Sequence, residues 1–175
     1  MILAIVDVET SGLDPVTDAM IEVGCVLWSV QFSCVIAAWS DLVKDSCPTN
    51  GAEKVNFIPT GSLALGLPID TVVKRLGHFV GRADVLVAHP ANFESRRLPD
   101  FGKPWVCSMY DVRWPRRVSG RSLASLAVAH GVQVAQTHRA LVDCLLLAQV
   151  FEAAGRLGMD VRTAIEKALA RRLRS

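Results

Sequence analysis

The chain opens on an apolar run, Met1–Val8, rich in β-branched residues and broken only by Asp7. A short continuous apolar run of this kind predicts a buried strand. A turn-rich segment follows, Thr10–Asp18, with Gly12 and Asp14-Pro15. Two further apolar stretches, Met20–Val30 and Cys34–Val43, complete an expected antiparallel meander. Lys44–Leu67 is rich in Gly, Pro, Ser and Asn and reads as a long loop with room for one helical turn. The period then changes. Over Pro68–Val80, Ile69, Val72, Val73, Leu76 and Phe79/Val80 recur on one side at helical spacing. Asp84–Ala88 predicts another buried strand, Asn92–Leu98 a short helix stopped by Pro99, and Trp105–Cys107 a short strand. Ser122–His130 predicts a helix closed by Gly131, Arg139–Ala154 the strongest helix, and Val161–Arg174 a last basic amphipathic helix. Strands first, then alternating helices and strands, give an α/β domain with a mixed sheet.

Composition narrows this picture. The length, 175 residues, suits one domain with a substantial core, and 51% hydrophobic content argues against disorder. No apolar run is long enough to span a bilayer, and the apolar start lacks a basic leader and runs straight into acidic residues. A soluble, cytoplasmic protein with no membrane partner is the expectation. The net charge of +2 says little about partners. Arginines gather at Arg96/Arg97, at Arg113, Arg116, Arg117 and Arg121, and at Arg171, Arg172 and Arg174, where they serve either phosphate contact or plain solvation. The five cysteines, Cys25, Cys34, Cys47, Cys107 and Cys144, are odd in number and lack C-x-x-C spacing, so neither a disulfide framework nor a zinc site is expected.

The candidate chemistry is carboxylate chemistry. Asp7 and Glu9 stand two apart at the end of the first strand and so project from one face. Two like charges held that close need a proton or a cation, and hard divalent cations take oxygen ligands. The plainer reading is a strand that surfaces at Asp7 and becomes a loop. Asp143 lies in the first turns of an otherwise apolar helix and needs a partner there, a metal or an arginine. His138, just before that helix, has a side chain suited to proton transfer near neutrality. Glu94 falls just beyond the carboxyl end of a strand, where α/β folds place their sites.

Taken in order, three segments resemble the DnaQ-like exonuclease family of the DEDDh type. They are Val6-Asp7-Val8-Glu9-Thr10-Ser11-Gly12-Leu13-Asp14, Ala88-His89-Pro90-Ala91-Asn92-Phe93-Glu94 and His138-Arg139-Ala140-Leu141-Val142-Asp143. The resemblance covers residues 1 to about 155. It implies a ribonuclease H-like three-layer fold, a central mixed five-stranded sheet flanked by helices, as one domain over 1–175 with the basic helix at about 161–174 appended. It implies a 3′–5′ exonuclease that releases nucleoside 5′-monophosphates from single-stranded or frayed ends, DNA favoured over RNA, in proofreading or repair. Two divalent cations, Mg²⁺ or Mn²⁺, would be held by Asp7, Glu9, Glu94 and Asp143, with His138 as general base. Thr10, Gly12, Leu13, His89 and Asn92 would contact the terminal nucleotide, Leu13 by wedging beside its base. Nucleic-acid 3′ ends are the implied partners, with a polymerase or repair complex and a homodimer left open. The alternative is a nucleic-acid-binding or polymerase-accessory module of the same fold with weakened catalysis.

Two positions depart from the family pattern. Glu94 stands where aspartate is usual and reaches roughly 1.5 Å further. Pro90 stands where asparagine is usual and offers no side-chain hydrogen bond. Lys44–Leu67 also matches the family poorly.

Overall fold

The computed structural model describes residues 1–14, 16–44 and 49–172. Pro15, Cys47 and Arg174, singled out above, lie outside the described residues. The meander forms as the patterning predicts: β1 (Ile2–Thr10), β2 (Met20–Ser29) and β3 (Cys34–Leu42) pair antiparallel in sequence. β4 (Val85–Ala88) pairs parallel to β1, and β5 (Trp105–Cys107) parallel to β4. The result is a mixed five-stranded sheet in the order β3-β2-β1-β4-β5.

Both faces are covered, which is why β1, β2 and β4 read as nearly unbroken apolar runs. On one face, α2 (Ile69–Val80) buries Val72, Leu76 and Val80 against Ala4, Val6, Val8 and Leu86. On the other lies α5 (Ala140–Arg156), which buries Cys144, Leu147 and Phe151 against Leu3, Ile5, Val26 and Trp28. Phe151 stacks on Trp28 with ring centroids 5.7 Å apart. α4 (Leu123–Ala129), capped by the Ser122 side chain, and α6 (Val161–Arg172) pack on the same side. Gly131 follows α4 at φ 73°, in the left-handed region that favours glycine. Among the described residues no helix is long and apolar enough to cross a membrane.

Two sequence expectations are corrected. The part of the expected loop that is described, 49–67, holds two helical turns: α1 (Glu53–Asn56) and a 3-10 helix, Thr60–Leu65. Ile58 and Leu63 bury against Ile21, and the Asn50 side-chain amide donates to Asn56 and to the Ile58 carbonyl. These long-range contacts are invisible to local patterning. The helix expected over 92–98 is instead α3, Ala91–Glu94. Beyond it the chain runs on as a turn in which the Arg97 and Leu98 amides both donate to the Glu94 carbonyl, and Leu98 packs into the core.

Candidate active site

The alternation of β1 builds the site. Leu3 and Ile5 belong to the core under α5, while Ala4, Val6 and Val8 belong to the core under α2. Continuing the period-two pattern, Asp7 and Glu9 project on the α5 face, at the strand's carboxyl end. The first turn of α5 brings Asp143 to the same place, with His138 just before it. Ligand-type atoms of Glu9, His138 and Asp143 all lie within 4.8 Å of one another. Glu94 arrives from α3, directly after β4 and the cis His89-Pro90 peptide, and is only 2% exposed. Asp7, Glu9, Glu94, His138 and Asp143 all line one cleft of about 470 Å³.

The electrostatics of this cleft are unbalanced. Burial, then the charges of Glu94, Glu9, Asp143 and Glu22, hold the Asp7 carboxyl well above its ordinary value. Burial, with Asp143 and Glu22 adding to it and Arg139 opposing, pushes Glu9 up to about 8. Burial likewise pushes Glu94 up to about 8, against the favourable charge of Arg97. Asp143 is raised by burial although the His138 amide donates to its Oδ2 at 3.0 Å. Glu94 Oε2 and Asp143 Oδ1 are buried with no hydrogen-bond partner. Buried polar atoms ordinarily find partners, so two orphaned carboxylate oxygens in one acidic cleft mark a place for a cation. The donor set, four carboxylates and one imidazole, fits a hard or borderline divalent ion. Arginine does not supply this countercharge to Asp143: the guanidinium of Arg139 pairs with Glu22 at 2.7 Å instead.

The remaining expected contacts divide. Thr10, Gly12, Leu13 and His89 line the cleft, and Leu13 stands 84% exposed at its edge. Asp18 folds the turn beneath them, accepting from Ser11 Oγ and from the Asp14 amide. A Cβ on Gly12 would collide with that same Asp18 carboxylate. His89 is spoken for by the protein: Nδ1 meets Ser108 Oγ at 2.8 Å and Nε2 lies 2.9 Å from the Arg121 carbonyl oxygen, which ties the segment before α4 to the end of β4. Asn92 is exposed and does not line the cleft, because Phe93 and Glu94 are the α3 residues that do.

Sequence reasoning passed over several residues. Asn56 lines the cleft from α1 and donates to the Thr10 carbonyl, which docks the 49–67 segment on the end of β1. Met109, Ser122 and Leu123 form part of the opposite wall. Glu22, 3% exposed on β2, was also missed, although a glutamate inside the otherwise apolar run Met20–Ser29 was a signal in plain view.

The family model RNase_T, described as exonuclease, matches residues 4–95, which is more than half of the chain. The chain belongs to this exonuclease family. The solved structure of exonuclease X in complex with 5′ overhanging duplex DNA is similar over 95% of this chain and 99% of that one, at 26% identity and a TM-score of 0.74. The nuclease domain of 3′hExo, a DEDDh family member bound to rAMP, shares the fold over 91% of this chain and 94% of that one, at 16% identity and a TM-score of 0.69. Two curated relatives, DNA polymerases III of the PolC type from Thermotoga petrophila and Thermotoga maritima, are 28% identical over 157 residues. That alignment spans 84% of this chain and 11% of each polymerase. The protein is thus a nuclease of the exonuclease family, with the fold that exonuclease X and the 3′hExo nuclease domain share.

Proposed function

We propose that this exonuclease-family chain, as one domain over 1–175, removes nucleotides from the 3′ end of single-stranded or frayed nucleic acid, DNA in preference to RNA, and releases nucleoside 5′-monophosphates. The observation that carries the reading is the pair of buried, unpartnered oxygens on Glu94 and Asp143, set among carboxyls whose ionised forms the protein disfavours without a countercharge. In this reading Asp7, Glu9, Glu94 and Asp143 hold two divalent cations, Mg²⁺ or Mn²⁺. When bound, such ions lower the pKa of water, neutralise charge at the phosphate and stabilise the leaving 3′ oxygen.

The chain's own residues do the rest. His138 is exposed at the cleft edge and in the left-handed region at φ 63°, and takes the proton of the attacking water. Asp143 accepts from the His138 amide and so fixes where that residue stands. Thr10 and Gly12 present the end of β1 to the terminal nucleotide, and Leu13 wedges beside its base. The wall of Val55, Phe93 and Met109 offers apolar surface for stacking. The likeness to a segment of PolC-type polymerases supports a polymerase or repair complex as partner.

Oligonucleotides labelled at the 3′ or the 5′ end, incubated with Mg²⁺, Mn²⁺ or chelator, test this directly. Cleavage should proceed from the 3′ end and stop in chelator. Asp7→Ala should be inactive and His138→Ala strongly impaired. Parental activity in Asp7→Ala sinks the cation-site reading, and internal cuts in a circular substrate would mean an endonuclease.

A further inference from the structure

We propose that Glu22, acting through Arg139, is a positioning residue for hydrolysis: it fixes the start of α5 so that His138 and Asp143 face Glu9. This inference rests on the function proposed above. It begins with strand register. On β2, Glu22 lies directly across from Glu9, and Gly24 directly across from Asp7. Both β2 residues meet the same point of α5. Glu22 Oε2 accepts from the Ala140 amide at 2.9 Å, and its two oxygens accept from Arg139 Nε at 3.0 and 3.3 Å and from Nη2 at 2.7 Å. At Gly24 the absent side chain makes room for the helix: a Cβ there would stand 2.5 Å from the Ala140 carbonyl carbon and 2.6 Å from the Leu141 nitrogen.

The consequence follows from the short distance along the chain. Arg139 is the N-cap of α5, His138 precedes it, and Asp143 lies in the first turn. The Asp143 amide donates to the Arg139 carbonyl, and the His138 amide donates to Asp143 Oδ2. A grip on Arg139 and Ala140 is therefore a grip on both functional residues. Arg139 has no side-chain hydrogen bond to the first turn, so the bond from Ala140 to Glu22 is what satisfies one of the helix's free amides. Glu22 has its own countercharge in direct contact, the Arg139 guanidinium at 2.7 Å. A misplacement of about 1 Å in a catalytic group costs up to about 100-fold in rate.

The test compares Glu22→Gln, Arg139→Lys and the double variant with the parent chain. Gln keeps an oxygen for the Ala140 amide but loses the ion pair. Lys keeps the charge but cannot bridge both Glu22 oxygens. Three readouts are taken: kcat and KM on a 3′-labelled oligonucleotide with Mn²⁺, calorimetric titration with Mn²⁺ alone, and the thermal midpoint. Each single variant should lower kcat about tenfold, leave KM within about twofold, and weaken Mn²⁺ binding, and the double variant should be no worse than the worse single one. A purely structural role would lower the midpoint and leave kcat and Mn²⁺ affinity of the folded protein at parental values, which overturns the proposal. If Glu22→Gln does not fold, Arg139→Lys decides alone, because the Arg139 side chain is 36% exposed and lysine keeps its charge and its aliphatic stem. Asp7→Ala serves as the separate control: parental activity there means the cation-site reading falls, whereas an inactive Asp7→Ala beside parental kcat and Mn²⁺ affinity in the Glu22 and Arg139 variants overturns this proposal alone.

Discussion

The unbalanced carboxylates make the cation-free protein lose stability as pH rises, and this is the sharpest consequence of the site's geometry. Glu9 and Glu94 ordinarily ionise near 4.5, and each is pushed up to about 8 in the fold. The folded chain thus holds protons that the unfolded chain has released, and stability falls across the interval from about 4.5 to about 8. Asp7 and Asp143, both raised, act with the same sign. His89 is lowered by burial and acts with the opposite sign, but only near and below its ordinary 6.5. The cleanest window is therefore pH 7 to 8. There Glu9 and Glu94 go from mostly protonated to about half ionised in the fold while fully ionised in the unfolded chain. Together they cost on the order of 2 kcal/mol over that one unit. For a chain of this size that is about 4–8 °C in thermal midpoint. A divalent cation reverses the trend, because its ligands must be ionised and its affinity rises with pH. At about 100 times its Kd it adds about 2.7 kcal/mol. The assay is thermal unfolding at pH 7.0, 7.5 and 8.0 with chelator or with Mn²⁺. With chelator the midpoint should fall as pH rises; with Mn²⁺ it should be higher throughout, and the gap should widen with pH. Glu94→Gln should remove the Glu94 share of the fall in chelator, about 1 kcal/mol over that unit. A midpoint that is flat or rising in chelator, or indifferent to Mn²⁺, refutes the reasoning.

Three further outcomes are expected. Leu13→Ala, at an 84% exposed position on the cleft edge, should slow digestion of paired 3′ ends more than of single strands, with stability unchanged; equal effects on both substrates would remove its wedging role. From Val112 to Val142 the chain carries no acidic residue, and Arg113, Arg116, Arg117 and Arg121 are exposed on the segment that leads into the Ser122 and Leu123 wall of the cleft. Replacing these four by glutamine should raise KM at moderate salt and flatten the salt dependence by about one unit of slope for each phosphate no longer neutralised, with kcat nearly unchanged; a parental salt slope would place the strand elsewhere. Phe151→Ala empties the fully buried site stacked on Trp28 and should cost about 3–5 kcal/mol in denaturant unfolding, while activity per folded molecule persists. A loss of activity larger than the loss of folded protein would tie this core position to the site.

The elements were legible where local pattern and tertiary burial agree. The apolar run Met20–Val30 reads as a strand, and β2 forms over Met20–Ser29 with helices covering both of its faces. Asp7 and Glu9 were legible together because a strand's period of two is a local property. Asp143 announced itself as a carboxylate on an apolar helix. Glu22 stands out likewise, inside an apolar strand, but its role is not legible locally, because its partners Arg139 and Ala140 lie more than a hundred residues away. The helical turns within 49–67 were obscure for the same reason: their order comes from Asn50, Asn56 and Ile58 closing on one another and on β1, with little periodicity to show it.

The sequence by itself determined the strand and helix succession, the acidic pair on β1 and the family whose three segments it carries. Only the tertiary structure decided which groups share a cleft. It brought Glu94 to Asp7 through the parallel pairing of β4 with β1, and it turned Arg139 away from Asp143 toward Glu22. It took Asn92 out of the cleft and occupied both nitrogens of His89. The physical reason is that periodicity says which way a side chain points from its own element, whereas charge balance and hydrogen-bond partners depend on what other elements bring within a few ångströms of it.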